Sequence, residues 1–266
     1  MIKCFKSTMI SYFVLSYVGG ASICLIFGFV INPRAGGLFA ISWILFIATI
    51  LEIIARKKMN KVINIMIDDC DLEKYLHVCN NLFFEQVHKK YKILLVLNLA
   101  TGYLNAGNKE RAEKLLNNVY GFGNGRAGAT YLAVYYNILV AYYLQTKDIE
   151  NVVDSMKELK IALNNKKLNR TSRTNLLYLY DEAECLLDME NNIYDGAEQV
   201  FNDALARQKH MLGKVSTKYT LGIIYLHYDR LSEAAEAFEF AYKNGGTSYY
   251  VKKAKEYLEK MKLNEL

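Results

Sequence analysis

The stretch from residue 221 to residue 246, LGIIYLHYDRLSEAAEAFEFAYKNGG, decides the fold. Its apolar residues recur at helical spacing on both sides of a short polar break, which predicts two antiparallel helices joined by a tight turn. Gly222 and Ala234 are small where two such helices would cross. Tyr225 and Phe238 are large enough to fill the space between neighbouring helix pairs. This stretch therefore predicts a helical hairpin that needs neighbours of the same kind.

The same pattern recurs three times upstream, which predicts a repeat array. The distance from Tyr103 to Tyr143 is 40 residues, and that from Tyr143 to Tyr225 is 82, close to two further periods. The third copy has a longer turn at residues 190–192. The matching positions are Leu99, Ala100, Tyr103, Ala112, Leu116 and Val119 in the first copy, Leu139, Val140, Tyr143, Val152, Met156 and Leu159 in the second, and Ala197, Phe201 and Ala204 in the third.

The residue types at these positions resemble the tetratricopeptide repeat, in which Leu-Gly and a tyrosine on the first helix precede Ala-x3-Phe on the second. Lys218 stands where that family has tryptophan, and the usual proline after the second helix is missing. The resemblance covers residues 70–263. It implies an all-α fold, an α-solenoid of helix pairs closed by an amphipathic capping helix over residues 250–261.

In that family the first helix of each pair lines a concave groove that receives a peptide or a partner helix. Carried over by position, the groove residues are Leu97, Asn98 and Thr101, then Asn137, Ile138 and Ala141, then Tyr219, Thr220 and Ile223. The basic residues of the carboxylate-binding version are missing. We expect Asn98 and Asn137 to hold a peptide backbone, with apolar neighbours forming side-chain pockets. The alternative is that the protein's own termini or loops fill some of these positions.

Two apolar segments near the N-terminus predict a transmembrane helical hairpin. Residues 9–31 carry no charged side chain and would span about 34 Å as a helix, enough for the hydrocarbon core of a bilayer. Residues 37–55 form the second span. Gly19, Gly20 and Ser22 are small enough for close helix packing in lipid. A cleaved signal peptide is the weaker alternative, because the apolar run is too long and a second span follows at once.

The basic excess of the chain belongs to this N-terminal segment. Residues 1–61 hold seven basic residues and one acidic residue, and the remaining 26 basic and 26 acidic residues cancel. The positive-inside rule then places both termini in the cytoplasm of a two-span cell-membrane protein. We predict a hairpin over residues 1–56, a basic helical extension over 57–69 and the repeat domain over 70–266. A neutral repeat domain argues against nucleic-acid binding, although neutrality of the total does not report local patches.

A glycine-rich stretch, residues 123–128, matches G-x-G-x-x-G, the fingerprint of dinucleotide-binding sites. Such a site needs a β-strand ahead of the glycines. The preceding residues, ERAEKLLNNVY, have a helical pattern instead. We therefore predict that residues 121–128 form a loop between repeats.

No other motif predicts chemistry: the sequence indicates no catalytic residue, no cofactor and no metal site, and so no enzyme and no small-molecule substrate. The remaining interpretation is a membrane-anchored cytosolic scaffold or adaptor, whose partners are a protein or peptide and the lipid bilayer. Two alternatives stay open. One is a peptide-responsive sensor with a flexible joint at the glycine loop. The other is an accessory subunit of a membrane complex, contacted through the hairpin.

Overall fold

The computed structural model describes residues 33–84 and 89–263, which form helices and connecting turns without a β-strand. The helices are α1 (Pro33–Ile67), α2 (Leu72–Phe84), α3 (Lys89–Asn105), α4 (Lys109–Leu116), α5 (Arg126–Thr146), α6 (Ile149–Leu163), α7 (Arg170–Glu190), α8 (Ala197–Arg207), α9 (Met211–His227), α10 (Leu231–Asn244) and α11 (Tyr249–Lys262). The all-α class predicted from the sequence is confirmed.

The chain divides into two compact units, Met1–Val62 and Ile63–Leu266. In the first unit, α1 carries the exposed apolar side chains Leu45, Phe46 and Ile53. None of the described helices combines the length and the apolar character needed to cross a bilayer. The first predicted span, with Gly19, Gly20 and Ser22, lies outside the described residues, so the hairpin stays a prediction.

Within the second unit, consecutive helices pack as pairs: α3 with α4, α5 with α6, α7 with α8, and α9 with α10. Side-chain caps fix where several helices begin. Asn108 accepts a hydrogen bond from the backbone N–H of Arg111, and Asp148 accepts one from Asn151. These caps satisfy N–H groups that the first helical turn leaves without a partner. The predicted series of packed helix pairs is therefore present.

The stretch that predicted the fold packs as its residue sizes require. Ala234 and Phe238 are completely buried. A Cβ atom at Gly222 would lie 2.7 Å from the Phe238 ring, so only glycine lets α9 approach α10 this closely. The Phe238 ring also stacks on Tyr257 of α11, with 4.7 Å between ring centroids. This packing confirms the roles predicted for Gly222, Ala234 and Phe238.

Helix α11 packs on the last helix pair of the described array. Its buried Ala254 packs in one core cluster with Phe238 and Val215, and Tyr257 and Leu258 pack against that cluster. The amphipathic stripe thus covers the apolar face that α9 and α10 would otherwise leave without a neighbour.

The segment before α11 also contacts the start of the repeat domain, a contact that the sequence does not predict. The backbone N–H of Thr247 donates to the carbonyl oxygen of Cys70 at 3.0 Å. The Thr247 hydroxyl accepts a hydrogen bond from the Leu72 N–H at 2.8 Å. Nearby, Nδ1 of His210 lies 2.9 Å from a carboxylate oxygen of Asp68. We call the contact of residues 70–72 with residues 245–248 the end contact.

Candidate partner-binding face

The groove positions predicted on α3 differ in exposure. Asn98 and Thr101 are partly exposed, whereas Leu97 is 1% exposed and packs in the core. The carbonyl oxygen of Asn98 accepts a hydrogen bond from the hydroxyl of Tyr75 at 3.1 Å, which ties α3 to α2. The Thr101 hydroxyl donates to the carbonyl oxygen of Leu97 within its own helix. The backbone under Asn98 is therefore fixed, while its side chain is accessible.

The positions predicted on α5, which packs beside α3, follow the same alternation. Asn137 and Ala141 are partly exposed, and Ile138 is buried at 5% exposure. Among the residues that the structure describes, neither the Asn98 nor the Asn137 side chain has a hydrogen-bond partner. We call the four accessible positions Asn98, Thr101, Asn137 and Ala141 the amide face. It presents two amide groups and two small side chains on neighbouring helices.

The third set, on α9, is partly covered by the C-terminal helix. Thr220 is buried at 8% exposure, and Tyr219 and Ile223 are partly exposed. The Tyr219 ring lies 5.6 Å from the ring of Tyr250 and 6.2 Å from that of Tyr257, both on α11. Helix α11 of the chain itself therefore covers part of the surface around Tyr219.

An ion pair between Lys147 and Glu190, which the sequence did not indicate, lies near α11. Nζ of Lys147 is 3.0 Å from a carboxylate oxygen of Glu190, and this hydrogen bond, with the charge of Glu190, raises the pKa of Lys147. Tyr257 and Tyr249 of α11 make smaller contributions that raise the pKa of Lys147 as well. Lys147 and Tyr257 are 110 residues apart. The only signal in the sequence is that three tyrosines, Tyr249, Tyr250 and Tyr257, lie on α11, the helix that is predicted only as a cap.

The predicted inter-repeat loop is present, but it covers residues 117–125, because residues 126–128 of the predicted loop already belong to α5. The glycine stretch follows α4, a helix, and leads into α5. Gly121 and Gly123 adopt positive φ angles of 74° and 77°. A Cβ atom at Gly128 would lie 2.2 Å from the Gly123 carbonyl oxygen, so the loop folds closely onto the first turn of α5. The glycines allow the tight turn by which the chain enters α5.

The buried Tyr75 and the half-buried Tyr219 couple the stability of the repeat domain to alkaline pH. Burial raises the pKa of Tyr75, and it raises the pKa of Tyr219 with an added contribution from the neighbouring phenol of Tyr257. Each side chain is thus kept neutral in the folded state and ionises more readily in the unfolded chain, near pH 10. The stabilisation is complete below about pH 10 and is lost as the pH rises from there towards the folded-state pKa.

We expect the Tyr219→Phe variant to lose stability less steeply with rising pH than the natural chain. Removing one tyrosine with a raised pKa should reduce the slope of the free energy of unfolding against pH by up to about 1.4 kcal/mol per pH unit above about pH 10. Urea unfolding of the full chain at several alkaline pH values measures both slopes. Lysine deprotonation affects both proteins equally and cancels in the comparison. Equal slopes would show that Tyr219 ionises as freely in the folded state as in the unfolded state.

Comparison with known proteins gives no match: no family model, no curated protein and no solved structure is similar to this chain. The described residues thus define the protein by architecture alone, as an all-α protein of consecutively packed, repeat-like helices.

Proposed function

We propose that the chain is a membrane-anchored, cytosolic, tetratricopeptide-like adaptor that holds an extended segment of a protein partner along its amide face. The observation that carries the proposal is the pair of accessible amide groups, Asn98 and Asn137, on the neighbouring helices α3 and α5. Each amide offers a carbonyl acceptor and two N–H donors, the set of groups that pairs with both sides of a peptide bond.

The chemistry around the two amides favours a peptide backbone over a charged ligand. Thr101 and Ala141 are small, so a chain can approach the helices closely, and the Thr101 hydroxyl is already engaged with its own backbone. None of the four positions of the amide face carries a charge. A neutral face of this kind suits main-chain hydrogen bonding, with partner side chains contacting the apolar surroundings.

Anchoring in the membrane rests on the sequence of residues 9–31 and 37–55, with their basic flanks. An anchored adaptor raises the local concentration of its partner at the membrane without any additional contact. The alternative role as an accessory subunit differs in that the hairpin itself would make the functional contact.

The first test is site-directed photocrosslinking in the native membrane. A photoreactive side chain at Thr101 or Ala141 lies within the amide face, and one at Tyr242, which is 44% exposed on α10, serves as the matched control. We expect an adduct of defined mass from the first two positions and none from Tyr242. Adducts of the same partner from all three positions would contradict a face-specific site.

The double substitution Asn98→Asp and Asn137→Asp should weaken the captured complex. Aspartate keeps the shape but loses the two N–H donors, and two lost hydrogen bonds of about 1 kcal/mol each correspond to a reduction in affinity on the order of 30-fold. The control is Asn60→Asp with Asn175→Asp, which adds the same charge at two exposed positions on α1 and α7. Quantitative mass spectrometry of the adduct compares the two variants. Unchanged capture by the first variant, with loss when residues 1–56 are exchanged, would move the function to the N-terminal segment.

A further inference from the structure

Two turns on opposite edges of the helix array differ sharply in charge. Because consecutive helices run antiparallel, the turns between pairs lie on one edge and the turns within pairs on the other. The segment 160–173, which joins the second pair to the third, holds five basic residues and no acid. The segment 188–198, at the opposite edge, holds four acids and no basic residue. A domain of zero net charge thus has a strongly basic segment on one of its edges.

Two neighbouring turns of that edge are joined directly. Nζ of Lys167 donates a hydrogen bond to the carbonyl oxygen of Asn124 at 2.6 Å. This contact brings the turn before α7 against the glycine loop before α5 and adds the exposed Arg126 to the cluster. Nη2 of Arg173 donates to the carbonyl oxygen of Asn165 at 2.8 Å, which holds the same turn from its other side. The cations are therefore displayed on an ordered pair of turns.

Two large exposed hydrophobic residues accompany these cations. Ile161, in the last turn of α6, is 65% exposed, and Tyr120, in the glycine loop, is 82% exposed. Ile161 follows Lys160 directly in the sequence, and Tyr120 lies in the glycine loop, which Lys167 contacts through Asn124. An aliphatic side chain and an amphipathic aromatic one beside Lys and Arg suit the boundary between lipid headgroups and acyl chains. A nucleic acid would use the cations and the tyrosine ring but offers no apolar medium for Ile161.

We propose that this edge binds the surface of an anionic bilayer, with the cations on lipid phosphates and with Ile161 and Tyr120 inserted at the interface. The basic edge consists of Arg126, Lys160, Lys166, Lys167, Arg170 and Arg173. Each Lys or Arg near such a surface contributes electrostatic attraction that salt weakens. This contact is separate from the amide face and does not depend on a partner protein.

The test uses full-length protein with Trp43 replaced by phenylalanine and one new tryptophan as a probe. Ile161→Trp reports on the basic edge, and Ile193→Trp, at a 53% exposed position on the acidic edge, is its control. Each protein is combined with phosphatidylcholine vesicles, with or without phosphatidylglycerol, and quenching by brominated lipid is measured. We expect quenching of the Ile161→Trp probe with anionic vesicles, reversed by high salt, and none of the Ile193→Trp probe. Equal quenching of both probes, or no dependence on lipid charge, would overturn the proposal.

A charge-removal series measures the electrostatic part in the same assay. Arg126→Gln, Lys166→Gln and Arg170→Gln together should weaken the lipid-charge-dependent interaction on the order of 100-fold, at roughly a factor of five per residue. The control replaces Lys255, Lys260 and Lys262 of α11 by glutamine, which changes net charge equally away from this edge, and should leave quenching unchanged. Equal effects of both sets would overturn the edge assignment.

Two further measurements keep the result independent of the probes. Hydrogen exchange of the natural chain should show protection of residues 117–125 and 164–169 only with anionic vesicles, and absence of this protection would contradict the proposal. Fluorescence anisotropy with a labelled single-stranded RNA tests whether the basic edge binds a nucleic acid instead of a bilayer. Tight RNA binding that the triple glutamine variant loses, without any lipid quenching, would assign the edge to nucleic acid instead.

Discussion

Replacing Phe238 by alanine is expected to lower the free energy of unfolding by about 3–5 kcal/mol, the range for removing a fully buried phenylalanine. The side chain is completely buried, its ring stacks on Tyr257, and it lies directly over Gly222. Its removal opens a cavity where three helices meet. None of the three can close it easily, because the backbone of α9 already approaches α10 as closely as glycine permits.

Urea unfolding monitored by circular dichroism measures this loss, and Tyr242→Ala is the matched control on the same helix. Tyr242 is 44% exposed, so its truncation should change stability by no more than about 0.5 kcal/mol. A second readout is near-ultraviolet dichroism, because loss of the stacked ring should change the environment of Tyr257. Equal effects of the two substitutions would show that α9, α10 and α11 do not share the core described here.

Gly246→Ala is expected to lower the free energy of unfolding by about 2–5 kcal/mol. Gly246 has a φ angle of +56°, which costs other residues about 1–2 kcal/mol. A Cβ atom there would also lie 2.4 Å from the carbonyl oxygen of Cys70, and such overpacking costs about 1–3 kcal/mol more. Because the obstructing atom belongs to the backbone, a rotamer change cannot relieve the clash. The substitution should therefore break the end contact.

The Gly196→Ala variant separates the backbone cost of a positive φ angle from the cost of overpacking. Gly196 has a φ angle of +74° but nothing within 4 Å of the position that a Cβ would take, so alanine there meets only the backbone cost. Hydrogen exchange provides the local measurement, since the Leu72 N–H donates to Thr247 across the end contact. Faster exchange at Leu72 in Gly246→Ala, and not in Gly196→Ala, is the expected result. Equal stability losses, with Leu72 still protected, would mean that the ends are not held by this contact.

The helix pairs could be predicted because their determinants are local. Small residues at helix crossings and large ones between pairs recur along the chain, and Gly222, Ala234 and Phe238 pack as their sizes require. The amphipathic stripe of α11 is likewise a pattern within a single helix. Such patterns indicate which side chains of a helix are buried and which helix, adjacent in the sequence, they pack against.

The accessible face could be predicted only in part. The resemblance supplied adjacent positions in each helix, such as Leu97 with Asn98 and Ile138 with Asn137. Neighbouring residues on an α-helix point about 100° apart, so when one faces outward the other turns towards the core. The structure decides which of the two does so, and it buries both apolar members.

The end contact and the basic edge could not be predicted, because both join residues that are distant along the chain. Leu72 and Thr247 are separated by 175 residues. Lys167 and Asn124 belong to different turns, and neither residue type indicates the other. Local spacing predicts how neighbouring helices pack and gives no information about where the two ends of the array arrive. The position of one end relative to the other depends on how all the helix pairs between them are stacked.

The end contact has a consequence for synthesis of the protein on the ribosome. An open array can fold pair by pair as it emerges, since each unit needs only its neighbours. Here the backbone groups of Cys70 and Leu72 find their partners only when residues 245–248 have left the exit tunnel. The start of the domain therefore stays incompletely bonded until residues 245–248 have been synthesised and released from the tunnel. A nascent chain stalled before residue 245 should expose this segment to chaperones and proteases, whereas the finished chain protects it.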